Sequence, residues 1–213
     1  MSSKQRPGSR ILGELSRAVD ALVLGMMWLV CSLPIITIGA SSAAFYYAYH
    51  EVVRLESGHV WQAFWTAFRS NFKKATKSWL VVLAIVIFAI VDYGIVGGMS
   101  GETMFHGILL VSIAVILVIT LAWALYLFPC IARFDMELGT IMKNCAIIAF
   151  ANLKWTLLLM LIFGVAVFIP VLAPGFSLFT PTAYMFLANR ILERVFRKYM
   201  TPEDRKAQEE LTR

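Results

Sequence analysis

Long runs of apolar residues, almost free of charge, dominate the pattern of this chain. A helix needs about 20 mostly apolar residues to cross a hydrocarbon core of about 30 Å. Every one of these runs is therefore long enough to form at least one membrane-spanning helix. The runs cover residues 21–49, 78–101 (with Asp92 as the single charge), 107–132 and 155–189.

The first and last runs are too long for one ordinary span, and each is interrupted by proline. Pro34 has no backbone N–H and disfavours helical geometry at the residue before it, so a helix should end there. Thr37 can then cap a second helix. Pro170, Pro174 and Gly175 interrupt the last run in the same way, and Pro181 is a further predicted break in that hairpin. We therefore predict six spans, at residues 16–33, 37–53, 79–96, 107–132, 155–169 and 176–191.

The distribution of basic residues supports this assignment independently. Cytoplasmic flanks of membrane proteins carry an excess of Lys and Arg. The three short loops between the paired spans hold no Lys or Arg. Six spans with both termini in the cytoplasm place every basic residue on the inner side. All 19 Lys and Arg fall in four segments, which are residues 1–17, 54–77, 133–154 and 190–213.

Composition excludes a water-soluble or disordered chain. Hydrophobic residues make up 60% and charged residues 15%, and the mean hydropathy is +0.75. Soluble domains have about 45–50% apolar and about 25% charged residues. The net charge of +6 follows from topology, so no nucleic-acid partner is expected. We predict an all-α membrane protein: a six-span helical bundle over residues 1–200, with two short amphipathic connector helices, and a charged cytoplasmic tail helix over 201–213.

The two long basic connectors share a sequence pattern. Each has Arg, an acid two residues later, a nearby Gly, and Asn-apolar-Lys starting thirteen residues past that Gly. Aromatic and aliphatic residues at helical spacing lie between, which predicts a short amphipathic helix at the inner interface. Such connectors could dock a partner, although each ion pair alone could simply anchor the chain. The candidate docking residues are Arg54, Glu56, Gly58, Asn71 and Lys73, and Arg133, Asp135, Gly139, Asn152 and Lys154.

Few residues of this chain carry recognisable chemistry. Asp92 lies within a predicted span, and an ionisable residue there is a functional candidate by default. Its position near the outer end of the span also allows it simply to reach water. The three Cys and three His show no ligand spacing, so neither metal nor cofactor is expected. No catalytic constellation is present, and we predict that the protein is not an enzyme.

Three segments resemble the YesL family of small bacterial membrane proteins. They are residues 33–44 (LPIITIGASSAA), residues 64–73 with Phe64, Phe68 and Asn71, and the Asn152-Leu-Lys154 step. The resemblance covers nearly the whole chain, from about Ile11 to Lys198. It implies a protein of the bacterial inner membrane, often encoded beside carbohydrate ABC importers. The family supplies no established catalytic residues.

These observations lead to an expected function and three alternatives. We expect a non-enzymatic accessory or regulatory subunit of a carbohydrate ABC importer, with the lipid bilayer, permease or ATPase subunits, or further copies of itself as partners. The main alternative is a small self-contained transporter or channel, since proline-broken hairpins are also found in transporters. A permease half of an importer is less favoured, because the connectors only faintly resemble an ATPase-docking loop. A membrane enzyme is the least favoured.

Overall fold

The computed structural model describes residues 7–54, 59–98 and 104–200, and these residues are helical almost throughout. Two short 3₁₀ turns, Ile35–Thr37 and Pro174–Phe176, connect the helices formed by the first and the last apolar run. No strand occurs in the ranges that the structure describes. The helices are α1 (Pro7–Ser32), α2 (Ile38–Ala48, continued by a π-helical turn over Tyr49–Arg54), α3 (Val60–Gly97), α4 (Met104–Arg133), α5 (Leu138–Ala151), α6 (Leu153–Leu172) and α7 (Thr180–Phe196).

Four of the described helices are long and apolar enough to cross a membrane. They are Gly13–Ser32 of α1, all of α3, His106–Arg133 of α4, and α6. α2 and α7 are shorter, with 11 and 17 residues. The prediction of an all-helical membrane protein is therefore confirmed. The six-span count, which requires α2 and α7 to cross as well, stays a prediction.

The first hairpin bends at Pro34, as the sequence predicts. α1 ends at Ser32, and hydrogen bonds from the Trp28 indole to Ser42 Oγ (3.1 Å) and between the Ser32 and Ser41 hydroxyls (2.7 Å) hold α2 against it. Thr37 precedes α2 but does not cap it through its side chain. Its hydroxyl instead donates back to the carbonyl oxygens of Cys31 and Pro34. Thr37 therefore closes the turn at the end of α1, which corrects its predicted role.

The first connector does not form a separate short helix. The segment is helical, but it continues directly into the following span, so that α3 runs unbroken for 38 residues. At 1.5 Å per residue this helix is about 57 Å long. α2 packs against its first half. A Cβ at Gly39 would lie 2.6 Å from both the Ala75 carbonyl oxygen and Trp79 Cβ, so only glycine allows this approach.

The second connector forms the separate helix that the sequence predicts. α5 ends at Asn152, whose φ of −123° and ψ of 44° lie outside the helical region, and α6 begins at once. α6 passes through Pro170 and ends at Leu172, beyond the predicted end of the fifth span. Pro174 opens the following 3₁₀ turn. Pro181 lies in the first turn of α7, where the missing N–H has no helical partner to lose.

Several predicted features lie outside the described residues. These are Glu56, Gly58 and the tail helix over 201–213, and the side chain of Arg54 is not described either. Within the described chain, α2 lies near the centre of the bundle. Ala40, Ala43, Ala44, Phe45 and Tyr46 are all buried, and the core around them includes residues from every helix.

Candidate functional site

A polar cleft lies where the two connectors meet. It has a volume of about 380 Å³ and is bordered by the end of α2, the first half of α3, and the end of α4 with the residues that follow it. Hydroxyl, amide, ammonium, guanidinium and carboxylate groups all reach it. Residues predicted from both connectors therefore share one site. The polar residues that line it are Tyr47, Thr66, Ser70, Asn71, Lys74, Arg133 and Asp135.

An ion pair joins the two connectors across this cleft. Lys74 Nζ donates to Asp135 Oδ1 at 2.7 Å and to the Met136 carbonyl oxygen at 3.2 Å. The hydrogen bond and the charge of Lys74 hold the pKa of the Asp135 carboxyl below its usual value. Since Asp135 is almost fully exposed, this ion pair adds little to the stability of the fold. Its main effect is to fix the position of the α4–α5 segment relative to α3.

Arg133 connects the cleft to a buried carboxylate. Its Nε lies 3.7 Å from Oε1 of Glu193, a residue of α7 with no exposed side-chain surface. The Tyr46 hydroxyl donates to the same oxygen at 2.6 Å, and His50 Nδ1 lies 3.5 Å from it. A buried carboxylate is costly unless donors and positive charge surround it. α2 and α4 supply those groups, so this cluster holds three helices together beneath the cleft.

Glu193 was not predicted as a functional residue, since it lies just past the predicted end of the sixth span, at 191. One signal could have revealed it. Met185, Asn189 and Glu193 recur at intervals of four residues, which places them on one face of a helix. All three are buried. The apolar residues Met185, Ala188 and Leu192 lie on the same face, and a single acid among them indicates a carboxylate that faces the core.

Asn152 belongs to a different junction from the cleft. Its Nδ2 donates to the Ile148 carbonyl oxygen (3.0 Å) and to the Tyr199 hydroxyl (2.9 Å), and its Oδ1 accepts from Lys198 Nζ (3.2 Å). This buried amide therefore joins the α5–α6 junction to the chain that follows α7. Next to it, the Lys154 ammonium lies over the Trp155 ring, 5.1 Å from its centre.

The predicted docking residues are thus divided. Asn71, Arg133 and Asp135 meet at the cleft, and Asn71 also donates to the Ala67 carbonyl oxygen within α3 at 3.1 Å. Lys73 and Gly139 are exposed and do not line it. Asn152 and Lys154 lie at the junction described above. The structure adds Lys74 and Glu193, which the sequence did not single out as functional.

Asp92 lies five residues before the end of α3 and is partly exposed. It lines neither the cleft nor the apolar cavity described next. Among the described residues, no three His, Cys, Asp or Glu side chains cluster in a way that could hold a metal ion. The structure therefore places Asp92 away from both of these spaces.

A second, larger space lies between the helices and is partly open. Its volume is about 720 Å³, and residues of six helices surround it. Nearly all of its wall is apolar, in contrast to the wall of the cleft. The lining includes Trp28 from α1, Phe45 from α2, Val86 from α3, Leu121 from α4, Phe163 from α6 and Tyr184 from α7.

Four long apolar helices, a buried carboxylate cluster and a polar cleft at the connectors define a helical membrane protein, compatible with several passes through the bilayer. Residues 22–93 match a family described as "Protein of unknown function, DUF624". This match covers the second part of α1, all of α2 and most of α3, and it agrees there with the resemblance to the YesL family. No curated protein and no solved structure matches the chain.

Proposed function

We propose that this protein is a non-enzymatic accessory or regulatory subunit of a bacterial carbohydrate ABC importer. It would lie in the inner membrane with both termini in the cytoplasm. One observation carries the proposal: the cleft brings Asn71, Arg133 and Asp135 from two separate connectors into one site. A site built from both connectors is a better docking surface than either connector alone.

The cleft favours a partner that presents an acidic side chain. Among the described residues, Arg133 and Lys74 are the two cations that line it, and a guanidinium binds a carboxylate through two parallel hydrogen bonds. Arg133 also faces Glu193. A partner carboxylate would therefore compete with Glu193 for Arg133. This competition would change the contacts of α7 with α2 and α4, which is a means of regulation as well as of docking.

The identity of the partner follows from the resemblance to the YesL family and from topology. That family is often encoded beside carbohydrate importers, which suggests permease or ATPase subunits as partners. The positive-inside rule places both connectors on the cytoplasmic side, where ATPase subunits and the cytoplasmic loops of permeases lie. Further copies of this chain are a second class of partner for the same surface.

A self-contained transporter is less well supported. A pathway for sugar needs many hydrogen-bonding groups, but the walls of the large cavity are nearly all apolar and no charged side chain lines it among the described residues. Asp92, the intramembrane acid that such a transporter would use, does not line this cavity. The interior of the bundle therefore favours an interacting subunit.

Affinity capture from the native bacterium, after extraction in gentle detergent, tests the proposal. We expect stoichiometric importer subunits with the wild type, identified by mass spectrometry. Ser70→Trp, which would fill the cleft from an exposed position of α3, should abolish the association. Gln62→Trp is the matched control, because Gln62 is exposed on the same helix and does not line the cleft.

Two results would contradict the proposal. The first is the absence of any importer subunit from the wild-type capture, or equal capture with both Trp variants. The second is sugar uptake by the purified protein alone in lipid vesicles, abolished by Asp92→Asn. That second result would establish a self-contained transporter instead.

A further inference from the structure

The proposed docking function involves the polar cleft and gives no role to the large apolar cavity between the helices. Its volume of about 720 Å³ is within the range of about 300–1,000 Å³ typical of small-molecule sites. Six helices line it, so its shape depends on the whole fold and not on one flexible loop. They leave it partly open, so a molecule from the surroundings can enter it. Apolar walls that face an empty space lack the dispersion contacts that an occupant would supply.

The chemistry of the wall excludes water and polar ligands as that occupant. Several polar groups on the wall bond within the protein: Thr120 donates to the Ile116 carbonyl oxygen at 2.8 Å, and Thr180 donates to that of Ser177 at 3.3 Å. The Trp28 indole donates to Ser42 Oγ. A buried water needs two to four polar partners, and apolar cavities stay dry. The wall thus offers a ligand dispersion contacts and little else.

The size of the cavity argues against a membrane-spanning helix of another protein. A helix with its side chains is about 10 Å across, so a 10 Å length of it already occupies roughly 800 Å³. A segment that crosses the membrane is several times longer. The absence of a charged group from the described lining also argues against an enclosed lipid headgroup. A flexible hydrocarbon chain satisfies both limits.

We propose that this cavity binds the hydrocarbon chain of a membrane lipid, with the polar headgroup outside it. The bilayer itself supplies such chains around a protein of this class. An occupied cavity regains the dispersion contacts that an empty one lacks. The bound chain would fill the space between the two hairpins, α1–α2 and α6–α7, and would become a structural component of the bundle.

Lipid retention by the purified full-length chain tests this proposal. Native mass spectrometry after extensive washing in mild detergent should find a lipid bound to the wild type. Ala124 lines the cavity, and Ala124→Phe should reduce the retained lipid by about tenfold or more, because overpacking a filled space is strongly unfavourable. Ala114→Phe, the same change at an exposed position of the same helix, should retain as much as the wild type.

The mass of the retained molecule distinguishes its source. A phospholipid, a free fatty acid and an isoprenoid lipid would each supply the same hydrocarbon chemistry and support the proposal. Equal lipid retention by the wild type, Ala124→Phe and Ala114→Phe would overturn the proposal. So would a wild type that carries no lipid, or one that retains a polypeptide in this space. Circular dichroism and elution volume would confirm that the Phe variants are folded.

A photochemical measurement keeps the proposal testable if Ala124→Phe does not fold. The probe is a phosphatidylglycerol with a diazirine on one acyl chain, added to the wild-type protein in detergent. Cross-links to Leu121 and Phe163, which line the cavity, are expected. Cross-links confined to exposed positions such as Val118 would show that lipid touches only the outer surface, and would overturn the proposal.

Discussion

The two connectors share a sequence pattern but not a structure. In the first, Asn71 lies within the unbroken helix α3 and hydrogen-bonds back to the preceding turn. In the second, Asn152 ends α5 and bonds to residues beyond α7. The chain after Asn71 continues its helix, whereas the chain after Asn152 starts a new one. The same spacing of Gly, Asn and Lys therefore gives no reliable indication of where a helix ends.

The two connectors differ because each packs against a different helix. α2 packs along the first half of α3, and the close approach at Gly39 holds that half in line with the rest of the helix. α5 instead contacts α4 through the Trp123 indole, which donates to the Met142 carbonyl oxygen at 3.0 Å, and it must turn to bring α6 alongside. Tertiary contacts decide which Asn becomes a helix end.

The largest expected effect comes from the buried cluster of Tyr46, Arg133 and Glu193 beneath the cleft. Glu193→Ala leaves Arg133 without its buried carboxylate, and the loss of one partner from such a cluster costs about 3 kcal/mol. The midpoint of thermal unfolding in detergent should fall by roughly 6 °C or more. Glu137→Ala, which removes an exposed acid from the same region, is the control and should leave the midpoint unchanged. Equal midpoints for both variants would show that the Glu193 cluster does not hold the helices together.

The two Asn residues of the shared pattern provide the next test. Asn152→Ala removes a buried amide that makes three hydrogen bonds, and should reduce the free energy of unfolding by about 2 kcal/mol. Asn71→Ala should cost less than about 1 kcal/mol, because Asn71 is partly exposed and alanine favours the helix around it. Denaturant unfolding followed by circular dichroism measures both. An equal loss of unfolding free energy in both variants would mean that Asn71 and Asn152 play the same structural role.

The smallest effect concerns the ion pair between the connectors. Lys74 lowers the pKa of Asp135, so this pair contributes at pH values above the usual carboxyl pKa and is lost as the pH falls through the lowered one. Lys74→Met should therefore raise the pKa of Asp135 toward its usual value. Lys73→Met, which removes the neighbouring ammonium, should change it far less. Carbon-13 NMR titration of the Asp135 carboxyl measures both shifts, and the same shift in both variants would exclude a specific pair.

Much of this protein could be predicted from hydropathy and proline alone. Helical membrane character and the bend at Pro34 followed from the sequence, because an apolar segment in lipid must satisfy its backbone hydrogen bonds within itself, as a helix does. The connector pattern predicted α5 correctly but was wrong for the first connector, which continues into α3. The tertiary structure decided what depends on residues far apart in the chain. Tyr46, Arg133 and Glu193 form one cluster although 147 positions separate the first from the last. Burial of a carboxylate requires donors from other helices, and no local pattern specifies which helices will supply them.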